Sequence, residues 1–225
     1  MTENKKTLLF SVLGVILLLV VVIGVSYAMY TFSANGSKEN VISTGTVSVS
    51  YAETSTINLK NVYPSTDAEG SKGVEGVSQD LVFTVTSTVS NETTKINYEI
   101  ALANVTNGTA TPNPLTENYI KFNLKKGDEY VTGFGSANTG VLVSSIKGNA
   151  GTLVGTDGSK LITEYYLTSG TLTGNATETY TLRAWVADTY KLPQGANTTS
   201  EDGKTQTNAS TAETFKFGVE IKAAA

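Results

Sequence analysis

Histidine and cysteine are both absent from these 225 residues, so any chemistry the chain performs falls to carboxylates, lysines and hydroxyls. Their absence removes imidazole zinc sites, histidine-based triads, thiolate nucleophiles and any disulfide framework. The densest group of acids is Asp67, Glu69, Glu75 and Asp80, interleaved with Gly70, Gly73 and Gly76. Such oxygens can hold a hard cation, but the alternating-aspartate spacing of a calcium loop is missing, and a solvated loop is the expected reading. A hydrolase built on paired carboxylates would need two acids placed by a motif, and none places them. Lysines, asparagines and acids abound, which permits Lys–Asn isopeptide chemistry without singling out a pair. No catalytic residue, cofactor-binding residue or metal ligand is therefore assigned, and no cofactor or small-molecule substrate is inferred.

Other signals weigh toward structure. Trp185, beside Arg183, lies on the opposite strand face from Tyr180, Leu182 and Val186; a loop-covered aromatic with Arg183 over its ring outweighs a sugar-stacking site. Glycosylation-type sequons such as Asn35-Gly36-Ser37 and Asn91-Glu92-Thr93 arise by chance in an Asn- and Thr-rich chain. Lys191-Leu192-Pro193-Gln194-Gly195 approaches a sortase signal but lacks its Thr-Gly ending and an apolar tail, and reads as a turn. Net charge is −4, and the 16 basic residues are scattered, so no nucleic-acid footprint is present.

The spacing that does point to a reaction lies in VSYAMYTF, residues 25–32. Ser26 and Ala28 stand at the −3 and −1 positions of a signal-peptidase site that would leave Met29 first. The segment ahead of them is apolar from Leu8 to Val25 and follows Lys5 and Lys6. As a helix it would be roughly 27 Å long, near the hydrocarbon thickness of a bilayer. Residues 1–28 thus read either as a signal peptide or as a transmembrane anchor. The paired lysines stay cytoplasmic in both, and the rest of the chain is extracellular or on the cell surface.

The elements that follow are strands. Apolar residues alternate at Val47, Val49 and Tyr51; at Leu81, Phe83 and Val85; at Ile96, Tyr98, Ile100 and Leu102; and at Ile120, Phe122 and Leu124. Ile162, Glu164 and Tyr166 make a weaker set, and Val141 to Ile146 a further valine-rich piece. Tyr180 to Val186 and Phe215 to Ile221 complete the series. Period two with one apolar face marks half-buried antiparallel strands. The fold class expected is all-β, an antiparallel β-sandwich or jelly-roll-like domain over residues 29–225, preceded by one hydrophobic helix. Residues 191–214 are the longest stretch of low hydrophobicity and read as a mobile loop.

The order of these features resembles the TasA/camelysin family of secreted Gram-positive proteins. The residues that carry the likeness are Ser43, Gly45, Val47 and Val49, then Ile57, Leu59, Val62 and Pro64, followed by LVFTVTSTVSNETT and KINYEIAL. The likeness covers roughly the first hundred residues, and Pro64 is followed by Ser65-Thr66-Asp67 where the family has Gly-Asp. It implies export, trimming by a signal peptidase, a jelly-roll-like domain and assembly into matrix fibres by donation of an N-terminal strand. The metallopeptidase label attached to the camelysin name finds no HExxH here. In the trimmed chain Tyr30, Phe32 and Ala34 alternate with Thr31 and Ser33, a donor strand with one sticky face. The expected function is that of a secreted or surface structural protein whose partner is itself. The alternative is a membrane-anchored binding or adhesion domain that keeps residues 8–25 in the bilayer.

Overall fold

A computed structural model of the chain describes residues 31–35, 40–43, 47–53, 56–60, 62–110, 113–191, 194–199, 205–209 and 213–224. The expected hydrophobic helix, the cleavage region Ser26, Ala28 and Met29, and Tyr30 lie outside the described residues. Among the described residues no helix is long and apolar enough to cross a membrane.

Fourteen strands run in chain order among the described residues. They are β1 (Thr31–Asn35), β2 (Asn40–Ser43), β3 (Val47–Glu53), β4 (Ile57–Lys60), β5 (Ser78–Val89), β6 (Lys95–Thr106) and β7 (Ile120–Lys126). After them come β8 (Glu129–Tyr130), β9 (Val141–Leu142), β10 (Tyr166–Thr173), β11 (Ala176–Val186), β12 (Gln194–Thr199), β13 (Thr205–Ala209) and β14 (Thr214–Ala224). One helical turn, α1 (Asp67–Gly70), precedes β5.

Two antiparallel sheets pack on one another. The first has the order β1-β14-β6-β10, with β4 also on β14; the second has the order β2-β3-β5-β11-β7-β8, with β9 also on β7. Alternation explains the packing. Leu81, Phe83 and Val85 of β5, and Tyr180, Leu182 and Ala184 of β11, are buried against Ile96, Tyr98 and Ile100 of β6 and Phe215, Phe217, Val219 and Ile221 of β14. Each side chain of this size contributes about 1.5–3 kcal/mol on burial. Aromatic rings fill the middle: Phe83 stacks on Tyr180 at 5.3 Å between centroids and meets Tyr51 edge-on at 5.9 Å.

The chain crosses between sheets at two tight turns that lock together. Asn91 accepts from the Thr93 N–H at 3.0 Å, turning β5 into β6. Gly174, at φ +66°, turns β10 into β11 beside Glu92, whose carboxylate takes the Asn175 side-chain amide at 2.5 Å. A side chain at 174 would meet both the left-handed backbone and Glu92.

Two expectations need correction. The alternation at Ile162, Glu164 and Tyr166 is not a strand: Tyr165 has φ +52°, which breaks an extended run, and β10 starts only at Tyr166. The valine-rich piece gives a two-residue strand, β9, and then a 3₁₀ turn over Val143–Ile146. Within residues 191–214, β12 and β13 pair with each other as a separate two-stranded sheet.

Candidate functional site

The seam along β14 is where Phe32 and Ala34, expected from the sequence to belong to a donor strand, lie. One side of β14 is paired with β6. The other is shared end to end: β4 pairs with Thr214–Phe217, and β1 pairs with Glu220–Ala224. Phe32 is in register with Ala223 and Ala34 with Ile221, and the side chains of Ala223 and Ile221 are themselves buried. The N-terminal strand therefore occupies five residues of an edge that β4 is too short to reach. Among the residues singled out in the sequence, the structure places Phe32 and Ala34 together on this seam and says nothing of Tyr30.

A second feature lies on the outer face of the same sheet. A groove of about 420 Å³ is lined by Leu102 to Val105 of β6, by Lys147 and Thr163 to Tyr165 of the segment before β10, and by Glu220 of β14. Its walls are irregular backbone. Lys216 pairs with Thr106 and Gly218 with Ala103, so Asn104 and Val105 together face Phe217 in a bulge, and Asn104 has φ +54°. Tyr165, on the opposite wall, is the other non-glycine residue at positive φ among the described residues, and its carbonyl accepts the Leu102 N–H at 3.1 Å. For a bulky residue this conformation costs about 1–3 kcal/mol, which the packing around it must offset.

Buried carboxylates hold the groove together. Glu117 accepts from Lys147 Nζ at 2.5 Å and from the Tyr165 hydroxyl at 2.9 Å. Glu117 raises the Lys147 ammonium above its ordinary pKa by hydrogen bond and charge, and burial followed by the Glu117 bond raises the Tyr165 phenol. Glu99 lies on the outer face of β6, fully buried beneath residues 151–153. Its Oε1 accepts from Thr152 N at 2.5 Å, Thr152 Oγ1 at 2.8 Å and Leu153 N at 2.9 Å, while Oε2 is buried with no hydrogen-bond partner. Gly151 makes room for it, since a Cβ there would come 1.9 Å from Oε2. Glu99 fastens residues 152 and 153 to β6, and Glu117, in the turn before β7, holds Lys147 and Tyr165; together they are bound to two amides, two hydroxyls and one lysine.

Residues weighed in the sequence are used elsewhere. Trp185 is fully buried on the outer face of the second sheet, with Gly70 and Gly140 pressed against its ring. Arg183 does not lie over that ring; its Nε and Nη2 donate to the Asp80 carboxylate, each at 2.7 Å. Two other acids of that stretch also have partners, Asp67 with Lys121 at 2.8 Å and Glu69 with Lys72 at 2.8 Å. Among the described residues no three acids converge to hold a metal ion.

A polar spine runs between the sheets at the β10–β11 end. The hydroxyls of Tyr98 and Tyr180 lie 2.5 Å apart, both reach Glu178, and Glu178 pairs with Lys126 at 2.7 Å. Burial, with the Glu178 bond next, raises the Tyr98 phenol strongly; burial and Glu178 push Tyr180 up to about 12. Gly170 of β10 leaves the space the Tyr98 hydroxyl needs.

No family model matches the chain, and no curated protein matches it. Among solved structures, a GH31 alpha-xylosidase from Xanthomonas citri is similar at 8% identity and a TM-score of 0.21. That alignment covers 87% of this chain, which spans 19% of the xylosidase.

Proposed function

We propose that the chain is an exported structural protein whose copies assemble by strand donation, each giving its β1 to the β14 edge of a neighbour. The observation that carries this reading is the seam: a short, separately connected N-terminal strand fills the part of the β14 edge that β4 leaves open. What one copy does for itself, another can do for it, because ladder hydrogen bonds are indifferent to which chain supplies the strand. The connectivity supports a jelly-roll reading. The sheets β4-β14-β6-β10 and β5-β11-β7-β8 alternate along the chain as the two halves of that fold do. Even full burial of one aromatic and one small side chain would give only about 2–4 kcal/mol, against about 4–15 kcal/mol for association. Exchange therefore depends on the ladder itself and on high local concentration at the cell surface.

Export and trimming are tested by sequencing the N-terminus of protein recovered from the culture medium, where Met29 is expected first. Donation is tested by mixing a Ser33→Cys chain with a Lys222→Cys chain, the two residues being in register across the seam. An intermolecular disulfide in assembled material supports exchange; only unreacted monomers would sink it.

The groove over the first sheet favours one other reading, a membrane-anchored binding or adhesion domain. Retention in washed membranes with an intact leader distinguishes it.

A further inference from the structure

The first sheet has a second edge. β10 pairs with β6 and with no other strand, and at eight residues it is the longest edge strand among the described residues. Its sequence, Tyr166–Thr173, contains no charge and no proline, in a chain with 36 charged side chains (16 basic plus 20 acidic). Edge strands are ordinarily blunted by lysine, proline, a bulge or brevity, because a free row of N–H and C=O groups recruits other strands. The one irregularity of β10 lies at its start, between Tyr166 and Thr168, and leaves Thr168 to Thr173 regular.

We propose that β10 is a self-association surface, joining two copies of this chain edge to edge, antiparallel, about a two-fold axis through Gly170. Charge and symmetry select this occupant. A charged partner strand would find no counter-charge on β10, whereas β10 itself brings none to be matched. Opposite residues of an antiparallel pair share a face, so the register must sum to an even number. Centring it on Gly170 sets Ser169 opposite Thr171 and Thr168 opposite Leu172. Ser169 and Thr171 are exposed hydroxyl residues, a favourable cross-strand pair, and no side chains collide on the axis. The glycine is required within the chain as well, by the Tyr98 hydroxyl beneath it. The joined sheet would run through both copies without break. It leaves the β14 seam untouched, on the far side of β6.

The test uses the mature chain with Ser33→Cys and Lys222→Cys oxidised within one molecule, which locks β1 in place and silences strand donation. Sedimentation of this locked monomer is expected to show a concentration-dependent dimer that Thr171→Lys abolishes. In the cysteine-free chain, single Ser169→Cys and Thr171→Cys copies mixed together should form the mixed disulfide roughly tenfold faster than either forms one with an Asp128→Cys control, because pairing raises their effective concentration. A locked chain that stays monomeric at every concentration overturns the proposal. So does a dimer indifferent to Thr171→Lys, or a mixed disulfide no faster than the control.

Discussion

Trp185 shows how closely single residues are fitted. It is the sole tryptophan, fully buried, and a Cβ on Gly140 would come 2.3 Å from its ring. Gly140→Ala is expected to lower stability by about 1–3 kcal/mol through overpacking and to red-shift tryptophan emission. An unchanged urea midpoint and emission spectrum would show that the loop yields freely. The tyrosines set the alkaline limit. Tyr180 and Tyr190 are both pushed up to about 12, Tyr190 by burial and then by the charge of Glu213, and Tyr98 is raised further. In the unfolded chain they ionise near 10, so above that pH the unfolded state holds fewer protons than the native one and stability falls. The stabilisation is complete below pH 10 and is lost as pH rises through about 12, at up to about 1.4 kcal/mol per pH unit for each tyrosine. Urea unfolding between pH 8 and 12, with phenolate absorbance recorded in parallel, checks this; Tyr98→Phe should flatten the decline.

Elements differ in how plainly the sequence announces them. Leu81, Phe83 and Val85 alternate cleanly because β5 is regular and its core face is continuous. β10 hides its character: Leu167 and Leu172 are both buried but five apart, since the bulge at 167 breaks the period-two phase. Tyr165 misleads in the opposite way, for a left-handed residue ends an apparent alternation that hydrophobicity alone continues. The carboxylate anchors were illegible. Glu99 meets amides 53 residues further on, and Glu117 a lysine 30 residues away, and no local spacing encodes such pairs. Their weight is open to measurement. Glu99→Ala should leave the amides of Thr152 and Leu153 unpaired, at about 1–3 kcal/mol each where they stay buried, and speed proteolysis within 147–165. Unaltered cleavage there would show that packing alone holds the segment.

For the whole molecule, two packed sheets in a chain without cysteine place their irregular features on the outside. These are a seam at one edge of the first sheet, a groove on its face and a bare strand at its other edge. The β-rich architecture was readable from alternation, and the resemblance of the first hundred residues implied a donor strand; that Phe32 and Ala34 pair with β14 came only from the register. In the proposed function the scaffold acts through what its edges recruit. β1 is the piece proposed to be exchanged, and electron microscopy of the mature chain beside its Phe32→Asp variant, at equal high concentration, tests that most directly. Fibres from the parent chain and none from the variant are expected, since a charge opposite buried Ala223 would be expelled from the seam. Fibres from both chains, or monomers from both, would contradict it.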